Sequence, residues 1–347
     1  MTTMTAFQLV EWGQPAEFRE VEVPRPGAGE VLVKVAGVGL CHTDVHFLAP
    51  ESNFGYPTPF TLGHETGGWV EELGPGTGSS GLGGFEPGDP VVAVGIHSCG
   101  RCHFCVRGYD NYCPSGSTGR GYGLDGGLAQ FVVVPDRELI KLTALDPARA
   151  APLTDAGVTS YHAVKKVLPK LAPGQTAVVI GVGGLGGYAV QYLRRFSAAR
   201  VIAVDVVKHR LETALELGAH DALLSDDSTA AAVRELAPHG AAAVLDFVGT
   251  DDTMALALAC GAAMGSIGIV GAGGGSAAIG WGLVPLECEV FIPQGGTIAD
   301  LRDVIALAEA GEIRVDVELF PFAQTAETYA KFARGELRTR AVITPNA

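Results

Sequence analysis

Residues 176–186 have the sequence TAVVIGVGGLG, an apolar run that leads directly into a cluster of glycines. Its first six residues predict a buried strand, and residues 186–196 predict the helix that follows. Residues 201–205 predict a second buried strand, which gives the segment the order of a βαβ unit. Further strands predicted at 242–248 and 266–270 extend this unit into a doubly wound parallel sheet.

The glycines fit the dinucleotide-binding fingerprint, in which missing side chains allow a tight turn and let backbone N–H groups approach a pyrophosphate. Asp205 ends the next strand, nineteen residues beyond Gly186, where an acidic residue accepts hydrogen bonds from the adenosine ribose. Its charge would repel the 2′-phosphate of NADP, so NAD is the predicted cofactor, although Lys208 and Arg210 would partly offset that repulsion. The predicted dinucleotide contacts in this segment are Gly181, Gly183, Gly184, Leu185, Gly186, Asp205 and Arg210.

The composition limits the size and the partners of the protein. A chain of 347 residues with 47% hydrophobic content is long enough to bury two cores. Its net charge of -14 would repel phosphate backbones and anionic lipid surfaces, so neither nucleic acid nor a membrane is an expected partner. The first residues lack the pattern of a secretory signal and no apolar run approaches ~18 residues, which predicts a cytoplasmic protein.

The first half of the chain has the pattern of a β domain. Short β-branched runs, separated by glycine and proline, lie at residues 31–38, 91–94 and 131–134. These runs predict an antiparallel barrel. Residues 74–85 include six glycines and predict a surface loop. Near the end, residues 298–310 predict a helix and 338–344 a last strand, which indicates that the chain returns to its first domain.

Four cysteines lie within fifteen residues with the spacing Cys-x2-Cys-x2-Cys-x7-Cys: Cys99, Cys102, Cys105 and Cys113. Gly100 and Gly108 supply turns that let four thiolates converge on one tetrahedral ion. Because four sulfurs leave no open coordination position, this spacing predicts a structural zinc site. Free or redox-active thiols are the alternative.

A second group of metal donors is spread along the chain. Cys41 follows a predicted strand, and His64 begins another segment within Gly-His-Glu. Zinc binds a thiolate and an imidazole well, although a buried cysteine and a hydrogen-bonded histidine would be the commoner finding.

Four motifs together resemble the medium-chain, zinc-dependent alcohol dehydrogenases, in particular the bacterial NAD-dependent branch that acts on secondary alcohols. They are Cys-His-Thr-Asp at 41–44, Gly-His-Glu at 63–65, the four-cysteine segment and the glycine-rich fingerprint, in the family's order. The resemblance implies an α/β protein with a GroES-like, mainly β catalytic domain and a Rossmann nucleotide domain with a doubly wound parallel sheet. The implied bounds are 1–154 for the catalytic domain with a structural zinc lobe at 95–116, 155–295 for the Rossmann domain, and 296–347 for the return to the catalytic domain.

The resemblance also implies the ligands of a catalytic zinc. Cys41 and His64 match two of them, and Asp155 matches the third, where many relatives carry cysteine. A helix cap, or a group hydrogen-bonded to a ligand, is the alternative role for Asp155. Glu65 would ligate when water leaves, and Asp44 resembles the carboxylate that orients the histidine ligand.

By the same resemblance, Thr43 takes the alcohol proton and passes it toward His46 near the surface. The residues that the resemblance adds to the cofactor site are His42, Thr159, Val248, Val270 and Arg340. Arg340 would face the pyrophosphate, and a surface salt bridge is its alternative role.

The implied activity is that of an NAD-dependent zinc alcohol dehydrogenase that also reduces ketones. Phe54, Tyr56 and Leu124 predict an apolar substrate wall. Gln294 and Gly295 lie where bacterial relatives carry bulky aromatics, which predicts a roomier pocket and bulky or aryl secondary alcohols as substrates. A homotetramer or a homodimer is expected by analogy.

Three other functions remain open. A zinc-free quinone or enoyl reductase would need neither the Cys41 and His64 pair nor the four-cysteine segment. A polyol dehydrogenase would need a more polar substrate wall. A cofactor-binding regulator would keep the fold without turnover.

Overall fold

A computed structural model describes residues 2–77 and 84–347. Residues 78–83, which form half of the predicted glycine-rich loop at 74–85, lie outside the described residues. The chain divides into two compact units. Unit 1 comprises residues 1–155, 297–311 and 315–347, and unit 2 comprises residues 156–296 and 312–314.

The strands are, in chain order, β1 (Thr3–Leu9), β2 (Glu17–Glu22), β3 (Glu30–Gly39), β4 (Phe60–Thr61), β5 (Glu65–Leu73), β6 (Pro90–Ala93), β7 (Gly119–Arg120), β8 (Gly123–Leu124), β9 (Phe131–Pro135), β10 (Leu139–Lys141), β11 (Thr176–Ile180), β12 (Arg200–Asp205), β13 (Asp221–Leu224), β14 (Ala241–Asp246), β15 (Gly261–Ile269), β16 (Glu289–Phe291), β17 (Val317–Pro321) and β18 (Arg340–Thr344). The α-helices are α1 (His42–Phe47), α2 (Pro147–Ala150), α3 (Ala156–Val167), α4 (Gly186–Phe196), α5 (Lys208–Glu216), α6 (Thr229–Leu236), α7 (Asp251–Cys260), α8 (Ile298–Glu309) and α9 (Thr325–Ala333). Short 3-10 helices lie at Cys105–Arg107, Asp110–Tyr112, Pro114–Ser117, Asp136–Glu138, Ala151–Thr154, Leu168–Lys170 and Phe322–Gln324.

Unit 1 is built around β3, whose residues are almost all buried. The larger sheet has the order β10-β6-β5-β3-β18-β17, with β9 also paired to β3, and a smaller sheet has the order β2-β1-β4. The runs predicted as strands at residues 31–38, 91–94 and 131–134 correspond to β3, β6 and β9 of the larger sheet, where β5 and β9 pair antiparallel to β3 and β6 pairs antiparallel to β5. The strands β17 and β18, near the end of the chain, add a parallel pair to this sheet. A closed barrel stays a prediction. A parallel pair needs a crossover connection, and here α9 lies between the two strands in sequence.

Unit 2 is a parallel sheet with the strand order β13-β12-β11-β14-β15-β16. This is the 3-2-1-4-5-6 order of a doubly wound dinucleotide-binding fold and confirms the predicted sheet. All residues of β11 and β14 are buried, as expected for central strands that helices cover on both faces. The helix predicted at 186–196 is α4, which begins at Gly186 as the fingerprint requires.

Within residues 2–77 and 84–347, the helices are all too short or too polar to cross a lipid bilayer.

The fully buried carboxylate of Glu138 contacts the start of the four-cysteine segment in unit 1. Glu138 accepts hydrogen bonds from the Ser98 backbone N–H at 2.8 Å and from Arg120 Nη1 at 3.1 Å. His97 Nδ1 lies 2.9 Å from the same carboxylate. Arg120 is itself buried, so each charge depends on the other for compensation in a dry environment.

Glu138→Ala is expected to lower the free energy of unfolding by about 3–5 kcal/mol, because it leaves the buried Arg120 guanidinium without its counter-charge. Urea or thermal unfolding measures the change. Glu336→Ala is the matched control, since Glu336 pairs with Arg334 on the surface and its loss should not change stability measurably. Equal unfolding curves for the two variants would contradict the prediction.

Candidate functional site

The donor atoms of Cys41, His64, Glu65 and Asp155 all lie within 4.8 Å of one another in unit 1. Cys41 immediately precedes α1, and Asp155 follows the 3-10 helix Ala151–Thr154. Glu65 is the first residue of β5, and His64 immediately precedes it. Cys41 Sγ is 3.4 Å from Asp155 Oδ2, and His64 Nε2 is 3.8 Å from the same oxygen. The fold thus brings together four residues that are 114 positions apart at the extremes.

Two glycines let these donors approach. A Cβ at Gly39 would lie 1.8 Å from Glu65 Oε2, and a Cβ at Gly63 would lie 2.6 Å from Val38 Cγ1. Gly63 also has φ of +92°, a conformation that side chains other than glycine rarely adopt. The glycine that precedes His64 is therefore required by the backbone, as well as by the close packing of β3 against β5.

The electrostatics of this cluster favour a cation. Burial disfavours an imidazolium, yet Asp44 and Cys41 raise the pKa of His64 well above its ordinary value. A raised imidazole pKa in a buried place indicates a negative potential at the donor atoms. A thiol, an imidazole and carboxylates in such a potential form the donor set that zinc prefers, so the residues fit the predicted metal.

Burial also changes the acidity of the carboxylates. Burial raises the pKa of Glu65 to about 8, although the Arg340 guanidinium acts against it. Burial opposes ionisation of Asp155 as well, but His64 and Arg340 outweigh it and hold the pKa of Asp155 below its ordinary value. Asp155 is therefore the better anionic ligand of the two.

Arg340 lies in unit 1 and forms a buried ion pair with Glu65. The surface salt bridge that is the alternative role of Arg340 is wrong, because both residues of this pair are buried. The sequence contained no signal for this partner, because the two residues are 275 positions apart. A contact of Arg340 with a pyrophosphate stays a prediction.

Asp44 lies behind the cluster and is fully buried. Its Oδ1 is 3.2 Å from His64 Nδ1, and its Oδ2 accepts a hydrogen bond from the Cys41 backbone N–H at 3.3 Å. The side chain therefore has the position expected of a carboxylate that orients a ligating histidine.

The residues predicted for proton transfer lie on α1. Thr43 Oγ1 is 3.6 Å from Cys41 Sγ, so its hydroxyl is beside the metal donors, and its side chain is exposed. His46 is exposed one turn further along the helix. His42 is also exposed, and its ring lies 4.5 Å from the ring of Phe332.

The sulfur atoms of Cys99, Cys102, Cys105 and Cys113 lie within 4.8 Å of one another. Cys102 Sγ is 3.5 Å from Cys105 Sγ and 3.8 Å from Cys113 Sγ. Burial opposes ionisation of Cys113, but backbone N–H groups of Cys99 and Ser115 help to lower its pKa to about 6. Four converging sulfurs fit a closed tetrahedral zinc site.

In unit 2, the glycines of the fingerprint differ in what surrounds them. A Cβ at Gly181 would lie 2.6 Å from Val248 Cγ2, and one at Gly186 would lie 2.0 Å from the Gly181 carbonyl oxygen. A Cβ at Gly183 would meet only the Arg210 guanidinium, at 3.9 Å. The outer glycines are thus needed for the turn and for helix packing, and Gly183 leaves its face open to a ligand, which fits a pyrophosphate at the start of α4.

Asp205 ends β12 and is almost fully buried. Its Oδ2 accepts a hydrogen bond from Val182 N–H and its Oδ1 from Val207 N–H, both at 2.9 Å. Arg210 Nη1 lies 3.9 Å from Oδ1. The carboxylate therefore ties the glycine-rich turn to the end of β12 while its charge stays next to the predicted ribose site.

The remaining predicted cofactor residues are divided between the units. Gly184, Leu185, Thr159, Val248 and Val270 lie in unit 2, and His42 and Arg340 lie in unit 1. Thr159 is buried in α3, and Leu185 immediately precedes α4, where its carbonyl accepts a hydrogen bond from Ser160 at 2.8 Å. Val248 and Val270 follow the adjacent strands β14 and β15 at the carboxyl edge of the sheet.

The predicted substrate wall is part of an aromatic cluster in unit 1. Phe54 packs on Trp12 at 5.9 Å, and Tyr56 lies 6.3 Å from Tyr122, whose ring is 5.9 Å from that of His64. Leu124 in β8 is partly exposed, and Gln294 and Gly295 lie in unit 2. Sequence reasoning missed Trp12 and Tyr122, because neither belongs to a motif and their partners are distant in sequence.

Comparison with known proteins agrees with this geometry. Residues 27–144 match the alcohol dehydrogenase GroES-like domain and residues 184–309 match the zinc-binding dehydrogenase domain, which confirms the predicted fold class. The chain is 35% identical over 323 residues to an NAD-dependent alcohol dehydrogenase of Sulfurisphaera tokodaii, a match that covers 90% of this chain and 91% of the relative. It is 30% identical over 351 residues to a D-arabinose 1-dehydrogenase (NADP(+)) of Saccharolobus solfataricus, with 99% of each chain covered.

The structure of acetophenone reductase from Geotrichum candidum in complex with NAD has a TM-score of 0.87 and 29% identity, and the match covers 99% of this chain and 97% of that one. The chain therefore belongs to the medium-chain, zinc-dependent alcohol dehydrogenase family.

Proposed function

We propose that this chain catalyses reversible hydride transfer between NAD(H) and uncharged secondary alcohols and ketones, with a preference for bulky or aryl substrates. The observation that carries the proposal is the group of Cys41 and His64, both buried, and the partly exposed Asp155, with the exposed hydroxyl of Thr43 beside it. In this proposal Cys41, His64 and Asp155 hold the catalytic zinc, and Cys99, Cys102, Cys105 and Cys113 hold a structural one.

Zinc, when bound, supplies Lewis-acid polarisation of the substrate oxygen, and NAD supplies the hydride acceptor. The protein residues then have three tasks. Asp44 keeps the His64 ring in the orientation of a ligand through their 3.2 Å contact. The Thr43 hydroxyl accepts the alcohol proton as it passes its own proton on toward His46, which is exposed on the same helix and releases a proton to water.

The ion pair with Arg340 supports the role proposed for Glu65. Its ion pair with Glu65 keeps this carboxylate next to the donor group without leaving a buried charge uncompensated. Glu65 is therefore an auxiliary ligand in this proposal, while the lower pKa of Asp155 suits it to permanent ligation.

The preference for NAD follows from Asp205. A 2′-phosphate would lie next to a carboxylate that two backbone N–H groups fix in place, so Asp205 cannot readily turn away. The preference for aryl substrates follows from the apolar faces of Phe54, Tyr56 and Leu124. The name of the acetophenone reductase relative supports an aryl substrate. Assembly as a homodimer or homotetramer stays a prediction.

Sugar oxidation is the second candidate function. It is favoured by the relative named D-arabinose 1-dehydrogenase, which matches this chain along nearly its whole length. The aromatic substrate wall disfavours it, because a polyhydroxylated substrate loses hydrogen bonds to water that apolar side chains do not replace.

The purified protein is expected to form NADH from NAD and 1-phenylethanol with a kcat/KM at least about tenfold above that for ethanol or D-arabinose, because the aromatic wall adds binding energy to a phenyl group. Absorbance of NADH measures the rate. Removal of zinc by a chelator should abolish turnover, and added zinc should restore it. A higher kcat/KM for D-arabinose would favour the second candidate, and turnover that survives zinc removal would overturn the proposed mechanism.

Asp155→Asn is expected to lower the zinc content by one ion per chain while the four-cysteine site stays loaded, because an amide ligates zinc far less well than a carboxylate. Elemental analysis after gel filtration measures the content. Asp89→Asn is the matched control, since Asp89 pairs with Lys141 away from the donor group. Unchanged zinc in Asp155→Asn would show that this residue is not a ligand.

Asp205→Asn is expected to raise the ratio of kcat/KM for NADP to that for NAD by about tenfold or more, since roughly 1–4 kcal/mol of like-charge repulsion is removed while the acceptor for Val182 is kept. Steady-state kinetics with both cofactors measures the ratio. Asp226→Asn, which follows the next strand and caps a surface turn, should leave the ratio unchanged. If the two variants had the same ratio as the wild type, Asp205 would not determine cofactor choice.

A further inference from the structure

One carboxylate contacts two of the proposed zinc ligands. Asp44 Oδ1 lies 3.2 Å from His64 Nδ1, and Asp44 Oδ2 accepts a hydrogen bond of 3.3 Å from the Cys41 backbone N–H. The opposite ring nitrogen of His64 points toward Asp155, with Nε2 at 3.8 Å from Oδ2. Asp44 therefore fixes which nitrogen of His64 faces the metal, and it fixes the backbone from which the Cys41 thiolate extends.

The orientation of the Asp44 carboxylate depends on its own hydrogen-bond donors, and Tyr329 provides one of them. The Tyr329 hydroxyl donates a hydrogen bond of 2.9 Å to Asp44 Oδ2, the oxygen that also accepts from Cys41. Tyr329 lies on α9, which reaches α1 from the far end of the sequence of unit 1, 285 positions from Asp44. The Tyr329 side chain is 4% exposed, so water does not compete for this hydrogen bond.

Packing holds the tyrosine in place independently of its hydroxyl. The Tyr329 ring stacks on Phe7 of β1, with centroids 6.3 Å apart. Burial, together with the neighbouring Asp44, raises the pKa of Tyr329 well above its ordinary value, so the hydroxyl keeps its proton and remains a donor. A hydrogen bond from a neutral donor to a buried carboxylate is stronger than one between neutral groups.

We propose that Tyr329 is a positioning residue for the catalytic zinc, and that its hydroxyl holds Asp44 in the orientation in which Asp44 holds His64 and Cys41. The inference rests on the proposed zinc site of Cys41, His64 and Asp155. Tyr329 acts through Asp44, to which its hydroxyl donates the 2.9 Å hydrogen bond.

Tyr329→Phe removes the hydroxyl and keeps the ring that stacks on Phe7. The variant is expected to lose its catalytic zinc to a chelator about 10–100 times faster than the wild type, which is the usual cost of losing an outer partner of a ligand. Release from the four-cysteine site should be unchanged and is an internal reference. In the cobalt-substituted protein, the visible absorption bands of the catalytic site should shift, because the geometry of the His64 and Cys41 ligands relaxes.

Thr328→Val is the matched control on the same helix. Thr328 is 1% exposed, and its hydroxyl donates at 2.8 Å to the carbonyl of Gln324, the residue that precedes α9, so the variant removes a buried hydroxyl that does not contact Asp44. It should lower the melting temperature to a similar extent as Tyr329→Phe, with wild-type cobalt bands and zinc release. Tyr329→4-aminophenylalanine keeps a donor at the same place on the ring and should restore both readouts.

Two outcomes would overturn the inference, and they are distinguishable. If Tyr329→Phe and Thr328→Val had the same zinc release and cobalt bands, Tyr329 would have only a structural role while the proposed function stood. If the wild type bound metal at the four-cysteine site alone, the proposed zinc centre and the role of Tyr329 would both fail. A non-additive effect of Tyr329→Phe in an Asp44→Asn background would support action through Asp44.

Discussion

Several ionisable groups lie close together around Cys41, His64 and Asp155, and the surrounding residues of unit 1 must offset their charges. Desolvated negative charges within a few ångströms of one another are costly unless cations or hydrogen-bond donors offset them. Arg340 compensates Glu65 from one side, and the raised pKa of His64 indicates that the donor atoms attract a proton or a cation. A bound divalent ion would satisfy the same potential, which links metal binding to the stability of the folded unit.

Asp155 reaches Cys41 and His64 because the backbone of α2 lies very close to those of β3 and β5. A Cβ at Gly67 would lie 1.9 Å from the Pro147 carbonyl oxygen, and a Cβ at Gly37 would lie 2.7 Å from the Cα of Ala148. Only glycine lets α2 pack directly on β3 and β5, and the chain then continues from α2 through one short 3-10 helix to Asp155. The position of Asp155, the proposed third ligand, thus depends on glycines that belong to no metal-binding motif.

Sequence reasoning succeeded where the signal is local. The βαβ unit, its glycine-rich turn and the four cysteines each lie within about 30 residues, so periodicity and spacing predict them. It failed where a contact joins distant segments. Arg340 pairs with Glu65 and Tyr329 with Asp44 across 275 and 285 positions, and no residue pattern near either one predicts its partner. The parallel pairing of β17 with β18 is another such contact, since it depends on a crossover through α9 and the strand pattern of the first half of the chain does not predict it.

The two donor groups differ in how much of the fold each requires. The four cysteines converge within fifteen residues, and backbone N–H groups of the same segment stabilise Cys113 as a thiolate, so closing this site costs little chain entropy. The group of Cys41, His64 and Asp155 forms only when β3, β5, α1 and α2 are folded together. The residues that contact its neighbours Asp44 and Glu65 come from α9 and β18. A site assembled from distant segments can keep a coordination position open, because no single loop surrounds the ion. The cost is that its geometry depends on contacts between segments that are far apart in the chain. The hydrogen bond from the Tyr329 hydroxyl on α9 to Asp44 is one of them, and Asp44 in turn contacts two of the proposed ligands.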